Sequence, residues 1–265
     1  MKKIIEKWYN KLSFPSLYDE EFSSLLSKLP SDLPSRIEDF SAESYSHGEC
    51  LLIYLYFCED TQKRYERLGI GEDILIDTLS DIVTWTNTHY SLYGKLGLSE
   101  LNWLSRHLKA RLFKLGRLQF CIADAEFDIE EIGVSRGDAI LEIHIPEGEP
   151  MTPDRCKASI ARADTFFKNY FPDYKWSFYT CHSWLLDDTL LSFVKPDSNI
   201  AEFYKLFKIS DKTLSDSGLK YIFRRDTTRE NISSFEAKSS LGAKIKAHVE
   251  AGCALYEGLG YIKRI

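Results

Sequence analysis

Along residues 139–187 the pattern of apolar and polar positions changes period twice. In AILEIHI (139–145), Glu142 and His144 fall on one face of a two-residue repeat, and Leu141, Ile143 and Ile145 fall on the other. From Pro153 the period lengthens. Cys156, Ile160, Ala163, Phe167 and Tyr170 recur at spacings of four, three, four and three, which predicts a helix with one apolar face. Its start carries several signals: Thr152 as a cap acceptor, Pro153 at the first helical position, and Asp154 at the positive end of the dipole. Pro172 ends it. Residues 176–184 return to a strand pattern, with Trp176, Phe178, Thr180, His182 and Trp184 in one line. A crossover helix of this length makes strands 139–146 and 176–184 parallel neighbours.

The first 110 or so residues read as helical. Residues 48–68 predict one helix, ended near Gly69 and Gly71, and residues 72–93 predict a second. Ser99 is expected to cap a third that carries Leu101, Leu104, Leu108, Leu112 and Leu115, giving a small bundle. After Gly116 the texture changes. Leu118, Phe120 and Ile122 alternate as a strand, and the turn VSRGD (134–138) leads into 139–146 as an antiparallel neighbour. Beyond 184 the pattern predicts short helices near 187–193 and 199–206, strands near 206–211 and 219–225, and a last helix over 235–251. The fold class is therefore α/β (α+β): a helical N-terminal domain, then a mixed sheet with packed helices.

Composition adds exclusions. The chain has 265 residues and a net charge of −6, which does not suggest general nucleic-acid binding. No apolar run reaches the ~18–20 residues of a membrane-spanning helix, and MKKIIEKWYNKLSF is too soon charged for a signal peptide. Six scattered cysteines without a CxxC pair read as buried reduced thiols in a cytoplasmic protein.

Polar residues inside apolar strands mark the candidate chemistry. Glu142 and His144, side by side, suit a general base or proton relay, or else a solvated sheet face. Cys181 and His182 point to opposite faces and cannot form a dyad without a bulge. His182 is either a hydrogen-bonded core histidine or a cleft-lining group. A zinc site on Glu142, His144 and His182 has no supporting spacing, and no metal is expected. Arg106, His107, Lys109, Arg111, Lys114 and Arg117 form a basic run, read as a solvated helix face or a phosphate-binding group.

Several motifs carry a resemblance: YGKLGLSELNWLSRHLKARLFKLGRLQF (93–120), LEIHIPEGEPMTP (141–153), CHSWLLD (181–187), PDSNI (196–200) and GLGYI (258–262). With them the chain resembles a bacterial family of acyltransferase-domain proteins, with a helical N-acyltransferase N-terminal domain and a GNAT-like C-terminal domain. The resemblance implies a domain boundary at 112/113, giving 1–112 and 113–265. It also implies transfer of an acyl group from acyl-CoA, such as acetyl-CoA, to a small-molecule or peptide amine, with neither nucleic acid nor membrane as partner. Pantetheine would pair along Ile143 and Ile145. The pyrophosphate would meet Gly148, Thr152 and Asp154 at the helix start, helped by Arg111 and Arg117. Glu142 or His144 would deprotonate the amine, and His182 or Ser183 would protonate the leaving thiolate. One departure stands out. Glu147, Gly148, Glu149 and Pro150 occupy the place where GNAT enzymes typically carry a basic or Gln residue and a glycine-rich turn. This keeps open a rival: a ligand- or partner-binding protein that retains the fold without catalysis.

Overall fold

The computed structural model describes residues 1–30, 33–34 and 36–264. They divide into two compact units. One holds residues 1–115, 119–121 and 166–171; the other holds 116–118, 122–165 and 172–265.

The first unit is built on helices α1 (Lys2–Lys11), α2 (Asp19–Ser27), α3 (His47–Leu68), α4 (Glu72–Leu79), α5 (Asp81–Tyr93) and α6 (Leu101–Leu108). Helix α3 is its axis, with Leu51, Leu52, Ile53 and Leu55 fully buried. A capping box starts it. The Ser46 Oγ accepts from the Glu49 N–H, and the Glu49 carboxylate accepts from the Ser46 N–H at 2.8 Å. Gly69, at φ 71°, stops it. Tyr54 and Thr61 donate from α3 to the carbonyls of Leu101 and Leu108, at 2.7 and 2.9 Å, and so fix α6 against it.

Two expectations fail here. Residues 72–93 form two helices, α4 and α5, broken at Ser80. Next to the break, Asp81 is buried and accepts from Trp103 Nε1 (2.9 Å), with His107 Nε2 at 3.1 Å. Burial would raise the Asp81 carboxyl, but the hydrogen bonds and charge of His107 and the Trp103 bond hold it below its ordinary range. His107 is therefore a core residue, not part of a solvated basic face. Nor does Ser99 cap a helix reaching Leu115. Glu100 is the N-cap, α6 stops at Leu108, and Leu112 and Leu115 lie on strand β1 (Leu112–Leu115). The leucine spacing is common to both elements. Ala110, at φ 53°, ends the helical path between them.

The remaining strands are β2 (Leu118–Asp124), β3 (Ala139–His144), β4 (Phe178–Ser183), β5 (Lys208–Leu214) and β6 (Tyr256–Lys263), in a six-stranded sheet of order β1-β2-β3-β4-β6-β5. Helix α7 (Pro153–Tyr170) joins β3 to β4, which are parallel as the sequence predicts. Helices α8 (Asn199–Tyr204), α9 (Ser217–Ile222) and α10 (Ser240–Glu250) complete the second unit. Its core holds Ile140, Leu259 and Tyr261 in one cluster and Leu190, Leu219, Ile245 and Val249 in another.

Here too the structure corrects the sequence reading. The strand expected at 219–225 is α9, because alternation over five residues does not separate a strand from one helical turn. The last helix begins at Ser240, where Ser239 caps it, rather than at 235. The tail is β6, antiparallel to both β4 and β5. Its glycines hide the strand signal but have a steric purpose. A Cβ on Gly258 would lie 2.3 Å from the Leu186 carbonyl oxygen, and one on Gly260 would lie 2.9 Å from Leu186 Cδ1. Among the described residues no helix is long and apolar enough to cross a membrane. The cysteines are free, and all but the exposed Cys253 are buried.

Candidate active site

The pairing of β3 with β4 holds Leu141 opposite Tyr179 and Glu142 opposite Thr180. It ends there, although β3 runs on to His144 and β4 to Ser183. On its other side β4 stays paired with β6 through Ser183. The two parallel strands thus part at their carboxyl ends, where open sheets present backbone groups to ligands.

Partners in register share a face, and so do residues two apart. Glu142, His144, Thr180 and His182 therefore occupy one face at this opening. Thr180 is buried, Glu142 and His144 are half-buried, and His182 is exposed. His182 is thus not a core histidine. The His144 Nε2 lies 3.4 Å from a Glu142 carboxylate oxygen, a distance for charge interaction more than for a tight hydrogen bond. A carboxylate beside an imidazole is an arrangement suited to general-base work. The Ser183 Oγ accepts from the Leu185 N–H at 3.2 Å, which leaves its own proton available to donate. Nearby, the buried Asp187 accepts from Thr189 N (2.9 Å) and Tyr256 N (3.0 Å), tying the segment after β4 to β6.

Cys181 lies on the opposite face with Tyr179, Leu141 and Ile143. Burial, reinforced by the Glu142 charge, pushes its thiol far above the ordinary range. A thiol held protonated in this way is a poor nucleophile.

Beyond β3, Ile143 is buried and Ile145 half-buried. Gly148 is exposed at φ 116°, a conformation that favours glycine and turns the chain towards α7. The Thr152 carbonyl accepts from the Cys156 N–H at 3.1 Å, and Asp154 is exposed on the first turn. Arg117 sits in the turn between β1 and β2. That turn is pinned to α7, because the Leu118 N–H donates to the Ser159 Oγ at 2.9 Å. The Arg117 Nε is buried and has no hydrogen-bond partner. Burial lowers the pKa of this guanidinium, while nearby Cys156 and Glu149 oppose the shift and Arg155 adds to it. Arg111 is exposed between α6 and β1 and belongs to the first unit, whereas Arg117 belongs to the second. The sequence reading overlooked Arg155, which forms an ion pair with Glu149. Its position one residue after Asp154, at a helix start that favours acids, was the available signal.

The model of a GNAT-like C-terminal domain matches residues 112–262. The chain belongs to this family. An N-acyltransferase N-terminal domain model matches residues 13–110. The GNAT-like chain also resembles the crystal structure of an acyltransferase in complex with decanoyl-CoA and teicoplanin. The TM-score is 0.79 at 22% identity, over 97% of this chain and 87% of that one. A structure of an acyltransferase in complex with decanoyl-CoA gives a TM-score of 0.80 at 22% identity, over 98% and 87%. A third, an acyltransferase in complex with CoA and 10C-Teicoplanin, gives 0.79 at 22%, over 97% and 87%. At this identity the likeness is one of fold. No curated protein matches the chain.

Proposed function

We propose that this protein is an acyl-CoA-dependent N-acyltransferase that moves an acyl group directly to an amine of a small molecule or peptide. One observation carries the reading: the parting of β3 and β4 after Glu142 and Thr180, with Glu142, His144 and His182 on one face of the opening. The acyl-CoA and teicoplanin complexes of the similar structures support a donor of this class and a peptide-like acceptor.

The donor supplies an acyl group activated as a thioester. The residues of the chain manage protons and charge around it. His144, held beside Glu142, takes the proton that the acceptor amine loses as its nitrogen bonds to the acyl carbon. A backbone N–H of β4 near the opening faces the developing negative charge on the acyl oxygen. Ser183 or His182 returns a proton to the sulfur as the carbon–sulfur bond breaks. The start of α7 supplies backbone donors for the phosphates, and the half-buried Arg117 supplies a cation. The orphaned Arg117 Nε is the local sign that this corner fits an anion.

The acidic turn around Glu149 favours a second reading, a fold-retaining binding protein without turnover. Calorimetry with CoA and decanoyl-CoA, followed by a thiol-release assay with amine acceptors, separates the two. The enzyme reading expects both binding and thiol release. Binding without release across a panel of amines supports the second reading. No binding of any CoA ester at millimolar concentration removes the first.

A further inference from the structure

The turn 147–150 supplies carboxylates where a phosphate-binding turn supplies donors, and one of them already has a cationic partner. The Glu149 carboxylate pairs with the Arg155 guanidinium on the first turn of α7. Arg117, whose Nε lacks a hydrogen-bond partner, lies close enough that Glu149, Arg155 and Cys156 all perturb its charge. Glu149 thus pairs with one guanidinium at a helix start, within the electrostatic reach of a second. Cations beside a helix start suit a diphosphate, and here a carboxylate already occupies one of them.

We propose that Glu149 is a resident surrogate for the donor's phosphates and sets the affinity of the chain for phosphate-bearing donors. The inference rests on the acyl-CoA reading and deepens it. Glu149 and Arg155 are 69% and 53% exposed, so their pair is weak and readily exchanged. The carboxylate therefore weakens the site without closing it. An incoming diphosphate releases Glu149, takes over Arg155, and gains the nearby charge of Arg117. Donors without phosphates neither meet this competition nor benefit from its removal. Glu149 thus lowers the advantage of coenzyme A esters over simple thioesters, and makes that advantage dependent on ionic strength.

The test is calorimetry on wild type and E149Q with two probes, decanoyl-CoA and the phosphate-free S-decanoyl-pantetheine. At low salt, E149Q should bind decanoyl-CoA about two- to fivefold more tightly, the range of an exposed ion pair. It should bind S-decanoyl-pantetheine with unchanged affinity, and the gain should shrink on raising salt. Equal or weaker binding of decanoyl-CoA by E149Q overturns the proposal and leaves the acyl-CoA reading standing. An equal gain with S-decanoyl-pantetheine overturns it too, since the effect would not depend on phosphate. If neither protein binds decanoyl-CoA at all, the acyl-CoA reading falls and takes the proposal with it.

Discussion

At the scale of single residues, the proposed chemistry rests on a carboxylate and an imidazole two positions apart on one strand. Replacing Glu142 by Gln or His144 by Ala should lower turnover by ~10²-fold or more if the pair removes the amine proton, since positioned bases contribute at that scale. Both side chains are only half-buried, so circular dichroism and the melting temperature should change little. Full turnover in both variants would remove the pair from the mechanism. A second histidine has a structural role. His89 is buried, its Nδ1 is 3.0 Å from the Lys95 carbonyl oxygen, and it is surrounded by His47, Tyr93 and Glu21. Burial lowers its pKa, aided by His47 and opposed by the Lys95 hydrogen bond and Glu21. The folded state then binds a proton less readily than the unfolded chain. The stabilising contribution of this group is present above the ordinary histidine value and is lost as pH falls through the lowered folded one. Urea denaturation from pH 7 to pH 5 should show stability declining, and H89N, which can still donate to Lys95, should flatten that decline. An equally steep decline in H89N would assign it to other groups.

At the scale of elements, β6 is paired on both edges and crowded on one face. Gly258 and Gly260 let the turn Trp184–Leu186 lie directly on the sheet. G258A should therefore cost at least the ~1–3 kcal/mol of a forced overpacking, because the nearest atom is backbone oxygen and cannot rotate away. A denaturation midpoint equal to wild type would contradict this. How legible each element was depends on its kind of signal. Helix α7 was readable from 153 because its cap residues, apolar face and terminating proline agree. Strand β6 was not, since glycine in a strand reads as a break until the facing backbone is known. Likewise the 72–93 segment has one continuous apolar stripe, while its break at Ser80 adjoins a buried Asp81 whose partners Trp103 and His107 come from another helix.

For the whole molecule, the proposed function makes ligand binding a stability statement. A donor that binds the folded chain only, present at about 100 times its dissociation constant, should stabilise it by ~2.7 kcal/mol. A thermal-shift series should therefore rise with the concentration of decanoyl-CoA. R117A should need more ligand for the same rise, because the diphosphate loses a half-buried cation, and its melting temperature without ligand is the control for folding. An identical series in R117A would move the phosphate contact elsewhere.

The sequence by itself determined the local elements and one non-local fact. Strands β3 and β4 are parallel neighbours, because a single crossover helix of this length brings the chain back to the end of the sheet where β3 began. The period of two also put Glu142 with His144, and the motifs carried the family. Tertiary structure decided what depends on partners distant in the chain. It ended the β3–β4 pairing at Glu142 and Thr180, placed β6 between β4 and β5, and buried His107 against Asp81. It also seated Glu149 on Arg155. Periodicity reports which face of an element is apolar. Which element covers that face, and which charge meets which, is settled only when the chain packs.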